Sequence, residues 1–172
     1  MLKASDMVQV NEEGQIVGGN KTPINVAGFL IHAAVHKARP DINAACHTHS
    51  AYGKAWSAFG QPLELLNQDS CVLFNNQSVY SSFGGVVLGA DEGAHIAEAL
   101  GPTNRCIILQ NHGLLTAGGT VDEAAYLYST METCCKVQLL VESAGLEKRT
   151  ISDDEVQFTA AVVCRPVSGD EN

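Results

Sequence analysis

The chain is short of positive charge. Ten Lys and Arg stand against 19 Asp and Glu, giving a net charge of −9, and the basic residues form no cluster. Such a surface repels phosphate backbones and anionic headgroups, so neither nucleic acid nor membrane is expected as a partner. No apolar run approaches the ~18 residues that a membrane span requires. The opening Met1-Leu2-Lys3-Ala4-Ser5-Asp6 has no apolar secretory core. A Gly-rich dinucleotide fingerprint, a P-loop and a G-x-S-x-G elbow are all missing, which leaves dehydrogenase, kinase and serine-hydrolase chemistry without support. None of the six cysteines (Cys46, Cys71, Cys106, Cys134, Cys135, Cys164) forms a C-x-x-C pair. They read as reduced thiols, and a cytoplasmic protein is the expectation.

What is present is globular. Hydrophobic residues make up 45% of 172 positions and charged residues 17%, enough for one domain with a substantial core. Val8-Gln9-Val10 and Gln15-Ile16-Val17 flank a turn and suggest a hairpin. Asn25 is placed to cap a helix over Val26 to Ala38, which Arg39-Pro40 ends. A strand is expected over Asn43 to His47, then a helix from near Ser50 carrying Tyr52, Ala55, Trp56 and Phe59. Cys71 to Phe74 reads as a short strand, Phe83-Gly84-Gly85 as a turn and Val86-Val87-Leu88 as a strand edge. Asp91 to Leu100 reads as a helix and Cys106 to Gln110 as a buried strand. Thr120-Val121-Asp122-Glu123 fits a capping box, followed by a long helix to Ala144 with Gly145 as its stop. Alternating strands and helices point to a mixed α/β fold.

The chemistry concentrates in histidine. His47 and His49 close the first buried strand, and side chains two apart on a strand point the same way. That arrangement presents two imidazole nitrogens to one metal ion. His112 follows the second buried strand directly. A lone histidine at a strand end more often serves as a hydrogen-bonding group, and the pair alone leaves that reading open; the third imidazole makes a metal an equal alternative. His32 and His36 lie four apart on a helix, but Ala33 stands where the zincin pattern needs Glu. They read as a packed and a partly exposed helix residue, and His95 as solvated.

Ala27-Gly28-Phe29 to His32, Arg39-Pro40-Asp41, His47-Thr48-His49 and Asn111-His112-Gly113, at these separations, resemble the class II aldolase/adducin family over residues 3 to 145. The resemblance implies a three-layer α/β/α domain with a mixed sheet over residues 1–148, lacking its N-terminal part, with 149–172 as a C-terminal tail. It implies a homo-oligomer, a tetramer in the family. It also implies a divalent ion on His47, His49 and His112: zinc first, with iron or manganese as alternatives. Such an ion polarises a carbonyl and offsets the charge that develops as a C–C bond breaks.

Three departures shape the expected function. The family's general-base Glu falls at Gly28, and the serines that bind substrate phosphate fall at Val26 and Ala27. Family domains also usually begin earlier. A metal-dependent lyase acting on a small unphosphorylated oxo or hydroxy acid, by aldol-type cleavage or formation or by decarboxylation, is therefore expected. A similar subclass uses three histidines for non-haem iron and acts on aromatic acids. Asp69 is the candidate replacement base, although a turn-capping carboxylate is the simpler reading of that residue. The competing function is a non-catalytic, adducin-like or inactive binding module.

Overall fold

The computed structural model describes residues 3–83 and 90–163. The contacts fall into two compact units, residues 1–40 with 84–98 and residues 41–83 with 99–172. The turn and strand edge expected over 84–88, and Cys164, lie outside the described residues.

In the first unit, β1 (Val8–Val10) and β2 (Ile16–Gly19) form the expected antiparallel hairpin. The Asn11 side chain accepts from the Gln15 amide at 2.8 Å and closes the turn. Helix α1 (Val26–Ala38) has the bounds its sequence suggests. The Asn25 side chain accepts from the Gly28 amide at 3.1 Å, satisfying one of the amides a helix start leaves without a partner. Ile31 and Val35, four apart, are buried on one face. Helix α3 (Ala90–Leu100) belongs to this unit as far as Glu98. A methyl group at its Gly93 would stand 2.8 Å from the Leu30 carbonyl oxygen, so the two helices approach closely there. His32 and His36 are half-buried and His95 is exposed.

The second unit is built on a four-stranded mixed sheet in the order β3-β6-β5-β4. Its strands are β3 (Ala44–Thr48), β4 (Gln77–Tyr80), β5 (Cys106–Leu109) and β6 (Gly113–Gly118). β6 runs antiparallel to both β3 and β5, while β4 and β5 are parallel. This is the mixed α/β arrangement the sequence implies. β5 and β6 are buried along their whole length, which explains their continuous apolar runs. Thr116, the polar exception in β6, donates to the Ala124 carbonyl at 2.8 Å.

Helices α2 (Ala51–Ser57) and α4 (Val121–Ala144) pack together and on this sheet. Both ends of α4 are where the sequence sets them. Thr120 accepts from the Glu123 amide, Glu123 in turn accepts from the Gly119 amide at 2.7 Å, and Gly145 stops the helix in the left-handed conformation (φ 64°). Trp56, Leu73, Ile108, Leu114, Leu127 and Met131 are central to the core. Burial pushes the Cys134 thiol up to about 11, with the charges of Asp69 and Cys71 adding to the shift. The five described cysteines are free thiols.

Three elements differ from expectation. Cys71 to Phe74 is not a strand; Asp69–Leu73 forms a 3-10 turn. Asn67 and Ser70 exchange side-chain and backbone bonds at 3.0 and 3.2 Å, and Ser70 also donates to the Asn67 carbonyl at 2.7 Å. These local bonds offer the backbone a turn in place of a ladder. Ser70, Cys71, Val72 and Leu73 are nevertheless buried, and a short apolar run does not by itself separate strand from helix. Strand β4 escapes a hydropathy reading because it begins Gln-Ser; the Gln77 side chain is satisfied by the Leu63 backbone at 2.8 and 2.9 Å. Within residues 149–172 the structure places α5 (Asp153–Val163), which packs on the 3-10 turn and buries Val156. Its start carries an S-x-x-E signal, with the Ser152 hydroxyl donating to Glu155 at 2.6 Å.

Candidate metal centre

Sheet topology, more than local sequence, assembles the three histidines. β5 and β6 are joined by the turn Gln110-Asn111-His112, in which Asn111 takes the left-handed conformation (φ 57°) and the His112 amide donates to the Leu109 carbonyl at 3.0 Å. β6 then runs back between β5 and β3. Its first residues lie opposite the end of β3, with Thr48 paired to Leu114 and His47 to Leu115. The hairpin turn is thereby delivered to the strand end that carries His47 and His49.

One ligand atom from each of His47, His49 and His112 lies within 4.8 Å of the other two. Ring centroids are 5.3 Å apart for His47 and His49, 4.9 Å for His47 and His112, and 4.6 Å for His49 and His112, all edge-on. His47 and His112 are half-buried and His49 is exposed, so the cluster opens to solvent.

His47 is the best-defined member of the cluster. Its Nδ1 is 2.9 Å from the Leu114 carbonyl oxygen. A carbonyl only accepts, so Nδ1 carries the hydrogen and Nε2 is left with its lone pair. Burial holds the His47 imidazole below its ordinary pKa; the Leu114 bond opposes that shift and the neighbouring His49 charge adds to it. A neutral ring with an anchored Nδ1 is the form that ligates metal. The donor set therefore fits a divalent ion of the zinc type, with the three protein nitrogens that an open zinc site uses.

Asp69 does not join this group. It is exposed at the start of the 3-10 turn that packs against α4 and α5, near enough to Cys134 for its charge to raise that thiol. Gly28, Val26 and Ala27 occupy the first turn of α1, in the first unit.

Sequence reasoning missed the residues that brace the site. The Thr48 hydroxyl is 2.6 Å from the Tyr128 hydroxyl and accepts from the Ser50 amide at 3.1 Å. The Glu132 carboxylate accepts from the Ser50 hydroxyl at 2.5 Å, the Gly53 amide at 2.7 Å and the Tyr52 amide at 3.1 Å. Ser50 is the residue before α2 but its own side chain caps nothing there; Glu132 supplies that cap from α4. The one available signal was a carboxylate, Glu132, four residues after Tyr128 and so on the same face of α4. The far end of α2 holds the other half of the site, since the Asn111 amide donates to the Ser57 carbonyl at 3.1 Å.

Known proteins resemble this chain over most of its length. Residues 1–139 match the family described as Class II Aldolase and Adducin N-terminal domain. The chain is 47% identical over 144 residues to the meiotically up-regulated gene 14 protein of Schizosaccharomyces pombe, covering 84% of this chain and 56% of that protein. It is 42% identical over 144 residues to the decarboxylase NovR of Streptomyces niveus, covering 84% and 53%. Among solved structures, the L-fuculose 1-phosphate aldolase from Glaciozyma antarctica PI12 is 42% identical with a TM-score of 0.82, over 92% of this chain and 60% of that one. The chain thus spans about half the length of the curated relatives it matches.

Proposed function

From the premise that the chain belongs to the class II aldolase and adducin family, we propose that His47, His49 and His112 hold one divalent ion and that the protein is a metal-dependent lyase. The observation that carries this reading is the convergence of three imidazole ligand atoms within 4.8 Å. Zinc is the first choice, and the same nitrogens accept iron or manganese. When bound, the ion supplies Lewis acidity to a carbonyl or carboxylate oxygen. The chain's own contribution is to keep His47 neutral through burial and aimed through the Leu114 carbonyl, and to leave the His49 side of the cluster open to a ligand.

The substrate class we propose is a small unphosphorylated oxo or hydroxy acid, undergoing aldol-type C–C cleavage or formation, or decarboxylation. The decarboxylase name of one relative and the aldolase name of a structural neighbour both describe loss of a C–C bond beside a carbonyl or carboxylate. Val26 and Ala27 offer no hydroxyl to a phosphate, and Gly28 offers no carboxylate as base. Retro-aldol and decarboxylation assays on zinc-loaded and iron-loaded protein test the reading. Turnover of a 2-oxo or hydroxy acid, without turnover of fuculose or rhamnulose phosphate, is the expected result. Efficient cleavage of either sugar phosphate would overturn the substrate class, and stoichiometric metal without any lyase activity would favour the second reading, an adducin-like binding module. That alternative draws on the missing carboxylate at Gly28.

We also propose a cytoplasmic homo-oligomer, a tetramer by analogy within the family. Free thiols suit a reducing compartment. Among the described residues no helix is long and apolar enough to cross a membrane. Leu140 on α4 is 61% exposed and Leu146 just beyond it 79%, and apolar side chains in such positions commonly become contacts between copies. Sedimentation at micromolar concentration is expected to show a species heavier than one chain; a single stable 18.2 kDa species counts against it.

A further inference from the structure

We infer that Tyr128 and Glu132 of α4 are positioning residues for the metal centre, acting as a clamp on the corner that presents His49. The inference rests on the metal reading above.

His49 is exposed, so packing does not fix where its imidazole points. Its neighbours do. On one side Thr48 is held by the Tyr128 hydroxyl at 2.6 Å, and on the other Ser50 is held by Glu132 at 2.5 Å. Tyr128 and Glu132 are four apart on one helix and so share a face. A single rigid helix thereby grips the residues directly before and after a ligand. The Thr48 hydroxyl also accepts from the Ser50 amide at 3.1 Å, which bends the chain tightly around His49. Gly53 completes the fit: a methyl group there would stand 2.5 Å from the Leu114 side chain and 2.8 Å from the Ser50 hydroxyl.

The bonding also defines what Glu132 does. One oxygen accepts from Ser50 and Gly53, and the other accepts from the Tyr52 amide. All three partners donate, so the carboxylate is used as a pure acceptor. It caps α2 with both of its oxygens. A glutamine cannot replace it, because one of its two polar ends would turn an N–H toward an N–H or O–H donor.

Residues that orient a ligand from behind act by lowering the disorder the ion must remove, and their loss typically weakens metal binding by about tenfold to a hundredfold. The test uses the full chain and cobalt(II) as probe, with affinity read by chelator competition and geometry by visible absorption. Tyr128→Phe, which keeps the ring, and Glu132→Gln are each expected to weaken cobalt binding by about tenfold or more and to alter the cobalt spectrum. Leu127→Ala, which removes a core side chain from the same helix, is expected to lower the thermal midpoint while leaving affinity within about twofold. If Tyr128→Phe and Glu132→Gln bind cobalt as wild type does, the clamp is refuted while the metal centre stands. Loss of affinity in Leu127→Ala equal to that in Glu132→Gln reduces the effect to general destabilisation and also refutes the clamp. A wild-type chain that takes up no cobalt removes the metal centre and the clamp together.

Discussion

Replacing His112 with alanine is expected to lower bound metal from about one ion per chain to the level of a chelator-treated control, measured by elemental analysis after zinc loading and desalting. His112 is the one histidine contributed by the β5–β6 turn, and it stands closest to His49, with ring centroids 4.6 Å apart. Without it, two imidazoles from a single strand end remain, and two nitrogens do not complete the three-ligand set of an open zinc site. The fold itself should survive. The turn is held by backbone bonds, from the His112 amide to Leu109 and from the Asn111 amide to Ser57, which an alanine retains. Circular dichroism should therefore match wild type. Equal metal content in both proteins, whether high or negligible, would remove the three-histidine site.

Gly113→Ala should act on the same corner by a different route. A methyl group at Gly113 would fall against the Thr48 carbonyl oxygen, closer than real side chains come, and 3.3 Å from the carbon of that carbonyl. Both atoms belong to the backbone of β3, so no rotamer change relieves the contact. β6 must move away from β3, and Leu109 opposite Gly113 is drawn along with it. Overpacking of this kind costs about 3 kcal/mol, or a fall of about 10 °C in thermal midpoint for a chain of this size. Metal affinity should fall as well, since the displaced segment separates His112 from His47 and His49. An alanine variant melting at the wild-type temperature with wild-type metal content would show that the β3–β6 contact is looser than the structure has it.

Features set by neighbours in sequence were legible before any fold was known. Asn25 before Val26, Thr120 three before Glu123 and Gly145 after Ala144 locate both α1 and α4, because a helix cap involves residues three or four apart. The H-x-H strand end and the histidine after β5 were legible for a similar reason: strand alternation is local. What joined them was not. No pattern within Gly113–Gly118 states that this strand inserts between β5 and β3, yet that placement makes one site of two motifs. The clamp was equally invisible, since Tyr128 lies 80 positions from Thr48 and Glu132 lies 82 from Ser50. The expected strand at Cys71 to Phe74 is absent because a short apolar run does not distinguish strand from helix, while Asn67 and Ser70 in front of it set a turn.

The order of the strands bears on how the chain comes together in time. β5, its turn, β6 and α4 follow one another without interruption from Cys106 to Ala144, so their mutual contacts need only short loops and can form early. β3 arrives from far away, as the 67 positions between His47 and Leu114 attest. Closing so long a loop carries an entropic penalty that the ladder with β6 must offset. One imidazole thus sits on the locally connected part of the structure and two on the part that joins it through distant contacts. An ion held by all three, as proposed, would be captured only once β3 has closed onto β6, in contrast to small zinc modules whose chains condense around the metal from the start.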